Sequence, residues 1–89
     1  MAYGYNERLK KRIAAHLEVS GDMGRRRLAR EIGVVGYNDK GMISTIDWDR
    51  AYSELLASGI IAEKLVDVTK NGSLIAQKQC GINRTARAL

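Results

Sequence analysis

The stretch Trp48–Ile61, WDRAYSELLASGII, and the Asn71-Gly72 pair that follows it decide the fold. Trp48, Ala51, Tyr52, Leu55 and Leu56 recur at i, i+3, i+4, i+7 and i+8, the spacing of one apolar helix face. Gly59 sits where a helix needs a residue tolerant of positive φ, so the pattern predicts a helix over 46–58 that stops there. Thr45 or Asp47 can cap it, and Ser44-x-x-Asp47 is a start signal. Its outward residues are Asp47, Asp49, Arg50, Ser53, Glu54 and Ala57, three acids and one base. Ile60 and Ile61 then open a β-prone run. Two strands, Ile60–Val68 and Ser73–Gln79, are expected around Thr69-Lys70-Asn71-Gly72, because both residues of an Asn-Gly pair tolerate positive φ. Lys64, Lys70 and Lys78 decorate this hairpin, which spans 60–79 in all.

Outward from that unit, the N-terminal part reads as two helices. Leu9, Ile13 and Leu17 repeat every four residues, predicting a first helix over 5–19 with Asn6 as N-cap and Ser20-Gly21 as its end. Tyr5 and His16 edge the stripe, while Arg8, Lys11 and Arg12 face out. Leu28, Ala29 and Ile32 predict a second helix over 24–32, with Asp22 as a possible cap and Gly33 as the stop. Arg26 and Arg30 lie one turn apart on its outer face, a like-charge spacing that costs a few tenths of a kcal/mol in an isolated helix. Arg27 and Glu31 can pair, which leaves Arg25, Arg26 and Arg30 uncompensated. A solvated basic face and a phosphate-contacting surface are the two readings, and the repulsion favours the second.

Residues 34–44, VVGYNDKGMIS, show no clean period and read as a loop with a turn at Tyr37–Gly41. A connection of this length is often functional. Asn38, Asp39 and Lys40 suit a partner contact and a tolerated surface insertion equally well. The tail, 80–89, carries Arg84 and Arg87 and reads as a basic arm or as a short helix packing through Leu89.

The 89 residues make one domain with a modest core lacking Phe, which a homodimer would help to stabilise. Fifteen Lys and Arg against ten Asp and Glu give a net charge of +5. Such a balance favours polyanion partners without naming one. The charge is uneven: +4 over residues 1–33, −2 over 34–61 and +3 over 62–89. One Cys, Cys80, cannot form an internal disulfide and suits a reducing compartment, so a cytoplasmic location is expected. No signal-like or membrane-spanning run is present, and no membrane role is expected. His16 has no second His to share a metal, Cys80 has no redox neighbour, and no metal or cofactor site is expected. Nothing can be assigned as acid, base or nucleophile, so the chain does not read as an enzyme.

Three helices followed by a hairpin resemble the winged helix-turn-helix domain over about residues 5–79, an α+β, mostly helical fold with a C-terminal β-hairpin wing. RRRLAREIGV is similar to the second helix of that domain, and RAYSELLASGII to its recognition helix running into the wing. The resemblance implies a small sequence-specific binder of double-stranded DNA, a transcriptional regulator, with the third helix in the major groove and the wing on neighbouring backbone. It implies base contacts from Asp49, Arg50 and Ser53, with Arg50 able to grip a guanine bidentately. It implies phosphate contacts from Arg25, Arg26, Arg30 and Lys64, and a wing tip at Lys70 and Asn71. Two features depart from the pattern: the long 34–44 connection, and the acidic outer face of the third helix. They motivate the alternative, an adaptor, subunit or inhibitor that uses Asp47, Asp49 and Glu54 to meet a basic protein partner.

Overall fold

A computed structural model of the chain describes residues 2–84, with side chains from residue 4 onward. Three helices, α1 (Ala2–Ser20), α2 (Arg25–Ile32) and α3 (Thr45–Ala57), precede an antiparallel hairpin of β1 (Ile61–Lys70) and β2 (Ser73–Ile82). The architecture is a small α+β domain, as the spacing of apolar residues predicts. One core collects Leu9, Ile13 and Leu17 from α1 and Leu28, Ala29 and Ile32 from α2. To these α3 adds Trp48, Ala51, Tyr52 and Leu55, with Leu56 packed at the margin. Trp48 and Tyr52 are the largest members, their rings 5.3 Å apart and tilted by 36°. They occupy the space that Phe fills in many cores.

Helix boundaries differ from expectation where a side chain finds a stronger partner than the local backbone. Helix α1 begins at Ala2, not near residue 5, so Asn6 lies inside it and is not a cap. Its amide donates to Glu54 Oε1 at 2.8 Å, a contact 48 residues away in sequence. Helix α2 is entered through Gly24 with no side-chain cap. Asp22, the expected cap, instead pairs with Lys64 Nζ at 2.7 Å. Helix α3 is capped by Ser44, whose Oγ accepts from the Asp47 N–H at 3.1 Å. Neither Thr45 nor Asp47 fills that role.

Residues 34–44 are more ordered than a plain loop. Val34 and Ile43, both buried, form a parallel bridge that closes the segment at its neck. Within it, Asn38 accepts from the Lys40 N–H at 2.8 Å and donates to the Arg30 carbonyl at 2.7 Å, tying the turn to the end of α2. A Cβ at Gly41 would meet Val34 backbone atoms at 2.7 Å, so only glycine fits that crossing.

The hairpin extends beyond 60–79. Its register runs without a bulge from Ile61 opposite Ile82 to Lys70 opposite Ser73. Asn71 (φ 54°) and Gly72 (φ 80°) make the two-residue turn, both in the left-handed region. Residues 80–82, assigned to the tail by sequence, belong to β2. Cys80 there is buried; it bridges to Met23, and its thiol donates to the Met23 carbonyl at 3.3 Å. That bridge fastens the base of the hairpin to the segment between α1 and α2. Arg84 pairs with Glu18 at 3.2 Å, and the expectations for Arg87 and Leu89 lie outside the described residues.

Candidate functional site

The outer face of α3 is less acidic than its sequence suggests, because other elements pair with two of its acids. Arg25, on the first turn of α2, reaches Asp49 Oδ1 at 2.6 Å. The same guanidinium lies over the Tyr52 ring, 4.5 Å from its centroid. One side chain thus makes an ion pair and a cation–π contact, each worth on the order of 1 kcal/mol or less at an exposed site. Glu54 is bound by Lys10 Nζ at 3.0 Å as well as by Asn6. The Asn6 hydrogen bond and then Lys10 hold its carboxyl below the usual range. Counting Asp47, Asp49 and Glu54 against Arg50 alone leaves −2; Arg25 brings this to −1, and Lys10, which also holds Glu7 at 2.8 Å, adds no net charge.

These contacts separate the basic residues into two groups. Arg25 is tied to α3, Lys64 to Asp22, Lys78 to Glu63 at 4.0 Å, and Arg27 to Glu31 at 2.8 Å. Glu31 also meets His16 Nε2 at 2.6 Å, so it links α2 to α1, and its carboxyl lies below the usual range because of Arg27 first and His16 second. Arg26, Arg30, Arg50 and Lys70 have no ion-pair partner among the described residues, nor do Arg8, Lys11, Arg12 and Lys40. Three described acids, Asp39, Asp47 and Asp67, are likewise without one. The unneutralised charge of the surface is therefore strongly positive.

The first turn of α2 and the middle of β2 face each other across an open cleft of about 570 Å³, whose walls include Arg25, Arg26, Arg27, Tyr52, Gln77 and Lys78. At its floor the Tyr52 hydroxyl donates to Glu63 Oε2 at 2.6 Å, and burial, more than that bond, raises the phenol above its ordinary range. The cleft brings helix arginines beside hairpin Lys78, Gln77 and Gln79. Reading the chain by segments does not reveal that pairing, because it depends on the hairpin folding back over Met23.

The structure does not gather all the expected residues at one point. Arg50 and Ser53 are exposed on α3. Ile46, 69% exposed, lies on the same stripe one turn before Arg50. The i, i+4 relation of Ile46 to Arg50 is the sequence signal that places both on one face. Lys70 and Asn71 stand at the far end of the hairpin, roughly 30 Å from its base at the usual strand rise. No helix among the described residues is long and apolar enough to cross a membrane. No group of His, Cys, Asp and Glu among them is arranged to hold a metal ion. Compared with protein-family models, curated proteins and solved structures, the chain matches none.

Proposed function

We propose that the chain is a winged helix-turn-helix protein that binds double-stranded DNA as a transcriptional regulator. The carrying observation is the division of charge: Asp49 and Glu54 on the outer face of α3 are paired with Arg25 and Lys10, while Arg26, Arg30 and Arg50 make no ion pair among the described residues. A polyanion meets cations without ion-pair partners on α2 and α3, and two of the α3 carboxylates are already paired. The order of elements and the Met23–Cys80 bridge at the base of the hairpin support the winged arrangement.

In this reading Arg26 and Arg30 contact phosphates, and Arg50 with Ser53 reads base edges. Lys70 and Asn71 reach neighbouring backbone. Arg25 becomes a positioning residue that fixes α2 against α3, and Lys64 stays tied to Asp22. The pairing of Asp49 and Glu54 removes the main motive for a basic protein partner at that face.

The test is titration of a labelled random duplex at two salt concentrations. Affinity should fall steeply with salt, and Arg26→Ala with Arg30→Ala should weaken binding to every sequence while lowering the salt slope by about two. Arg50→Ala should flatten sequence preference instead. Binding that is absent, or indifferent to salt, overturns the reading.

A further inference from the structure

Beyond its base, the hairpin has little of the body to pack against. Ile61 and Cys80 are buried, but Leu65 and Leu74 are 71% and 69% exposed. The register sorts the remaining apolar residues: Val66, Val68 and Ile75 share the opposite face, with Val68 directly across from Ile75. On this face Val66 and Val68 are half-buried and Ile75 is 44% exposed, and a two-stranded ribbon alone in water is marginal, so the cluster calls for a neighbour.

The edges of the ribbon point to where that neighbour attaches. The outer edge of β2 is engaged at Cys80 by Met23. Along β1, no backbone hydrogen bond other than those to β2 is present among the described residues. This edge runs for ten residues without a bulge, and the chain contains no Pro to interrupt it. Such an edge is a template for pairing with another strand. Charge selects the kind of strand. Within a chain of net +5, β1 carries Glu63 and Asp67 against Lys64 and Lys70, a net of zero, so a second β1 is not repelled.

We infer that two copies of this chain associate through antiparallel pairing of their β1 edges about a two-fold axis at Val66. Opposed residues must share a face, so each register centres on a residue. Centring on Leu65 sets Glu63 against the second copy's Asp67, and centring on Asp67 sets Lys64 against Lys70. Centring on Val66 sets no like charges directly opposite, leaves Lys64 beside Lys70 and Glu63 beside Asp67 only at the wider diagonal spacing, and pairs residues 62–70 of both copies. It also places Val68 diagonally beside the second copy's Val66, joining two Val66–Val68–Ile75 clusters into one stripe. The contact is narrow, roughly 30 Å by 10 Å in section, which suits a reversible dimer more than a permanent one.

This inference does not depend on DNA binding. The test is the solution mass over a wide concentration range by light scattering and sedimentation, without nucleic acid. The mass should rise to twice that of the chain, and Val66→Lys should hold it at one chain while circular dichroism stays unchanged. Under mild oxidation Val66→Cys should cross-link to itself faster than Val68→Cys, with the unaltered chain as control for Cys80. A monomer at every concentration overturns the inference, as does a dimer that Val66→Lys leaves intact. Faster cross-linking at Val68 overturns the register.

Discussion

In the helical body the apolar periodicity of the sequence ends in burial, with Trp48, Ala51, Tyr52 and Leu55 each 2% exposed or less, whereas Leu65 and Leu74 on the ribbon keep 71% and 69%. Both regions contain apolar side chains in regular patterns. The difference is the number of neighbouring elements. Helix α3 packs against α1 and the base of the hairpin, so its apolar face has something to meet. The ribbon beyond Lys64 is held mainly by its own two strands, through a continuous register and a two-residue turn. Regular spacing therefore specifies the element in both places, but a buried core in only one.

The widest separation between the regions should appear on truncation. Trp48→Ala should cost about 3–5 kcal/mol, a large share of the stability of a domain this size, and lower the thermal midpoint sharply or abolish the transition. Leu74→Ala should stay within about 0.5 kcal/mol in the same melt. If Leu74→Ala were as damaging as a core truncation, the ribbon would have to be covered in solution, and the contrast would fail.

Glycines give a second, smaller contrast. At Gly41 the obstacle is packed backbone of Val34, so Gly41→Ala must displace the neck of the 34–44 segment at about 1–3 kcal/mol. At Gly72 the space is open and only the φ of 80° resists a side chain. Gly72→Ala should cost about 1 kcal/mol, felt mainly as faster amide exchange in β1 and β2. Equal effects of the two substitutions on global unfolding would show that the turn is coupled to the core as tightly as the neck is.

How much of this was legible in the sequence follows the same division. The helix faces, the Gly33 and Gly59 stops and the Asn71-Gly72 turn were readable because each depends on residues close in sequence. Asn6 was misread as a cap because its partner, Glu54, is 48 residues away. Asp22 was misread likewise, since Lys64 reaches it only after the hairpin folds back. The acidic face of α3 was a correct count that omitted Arg25 and Lys10, which arrive from other helices. The hairpin was placed but cut short at residue 79, because the polar Gln77-Lys78-Gln79 run hid the return of β2 to the core at Cys80.

The gentlest probe of the contrast is acid. Glu31, bound first by Arg27 and then by His16, and Glu54, bound first by Asn6 and then by Lys10, both titrate below the ordinary glutamate value of 4.5. A carboxyl held lower in the folded state binds fewer protons there than in the unfolded chain. Its contribution is complete above 4.5 and is lost as pH falls through the folded value. These two glutamates tie α1 to α2 and to α3, so acid should loosen the helical body. Glu31→Gln with Glu54→Gln should change the melt little at neutral pH, since exposed pairs are screened, but should flatten the decline in midpoint below 4.5. An unchanged decline would mean that other carboxylates govern acid unfolding. Acid sensitivity should follow the inter-helix pairs and not the number of carboxylates, which is the electrostatic form of the difference between body and ribbon.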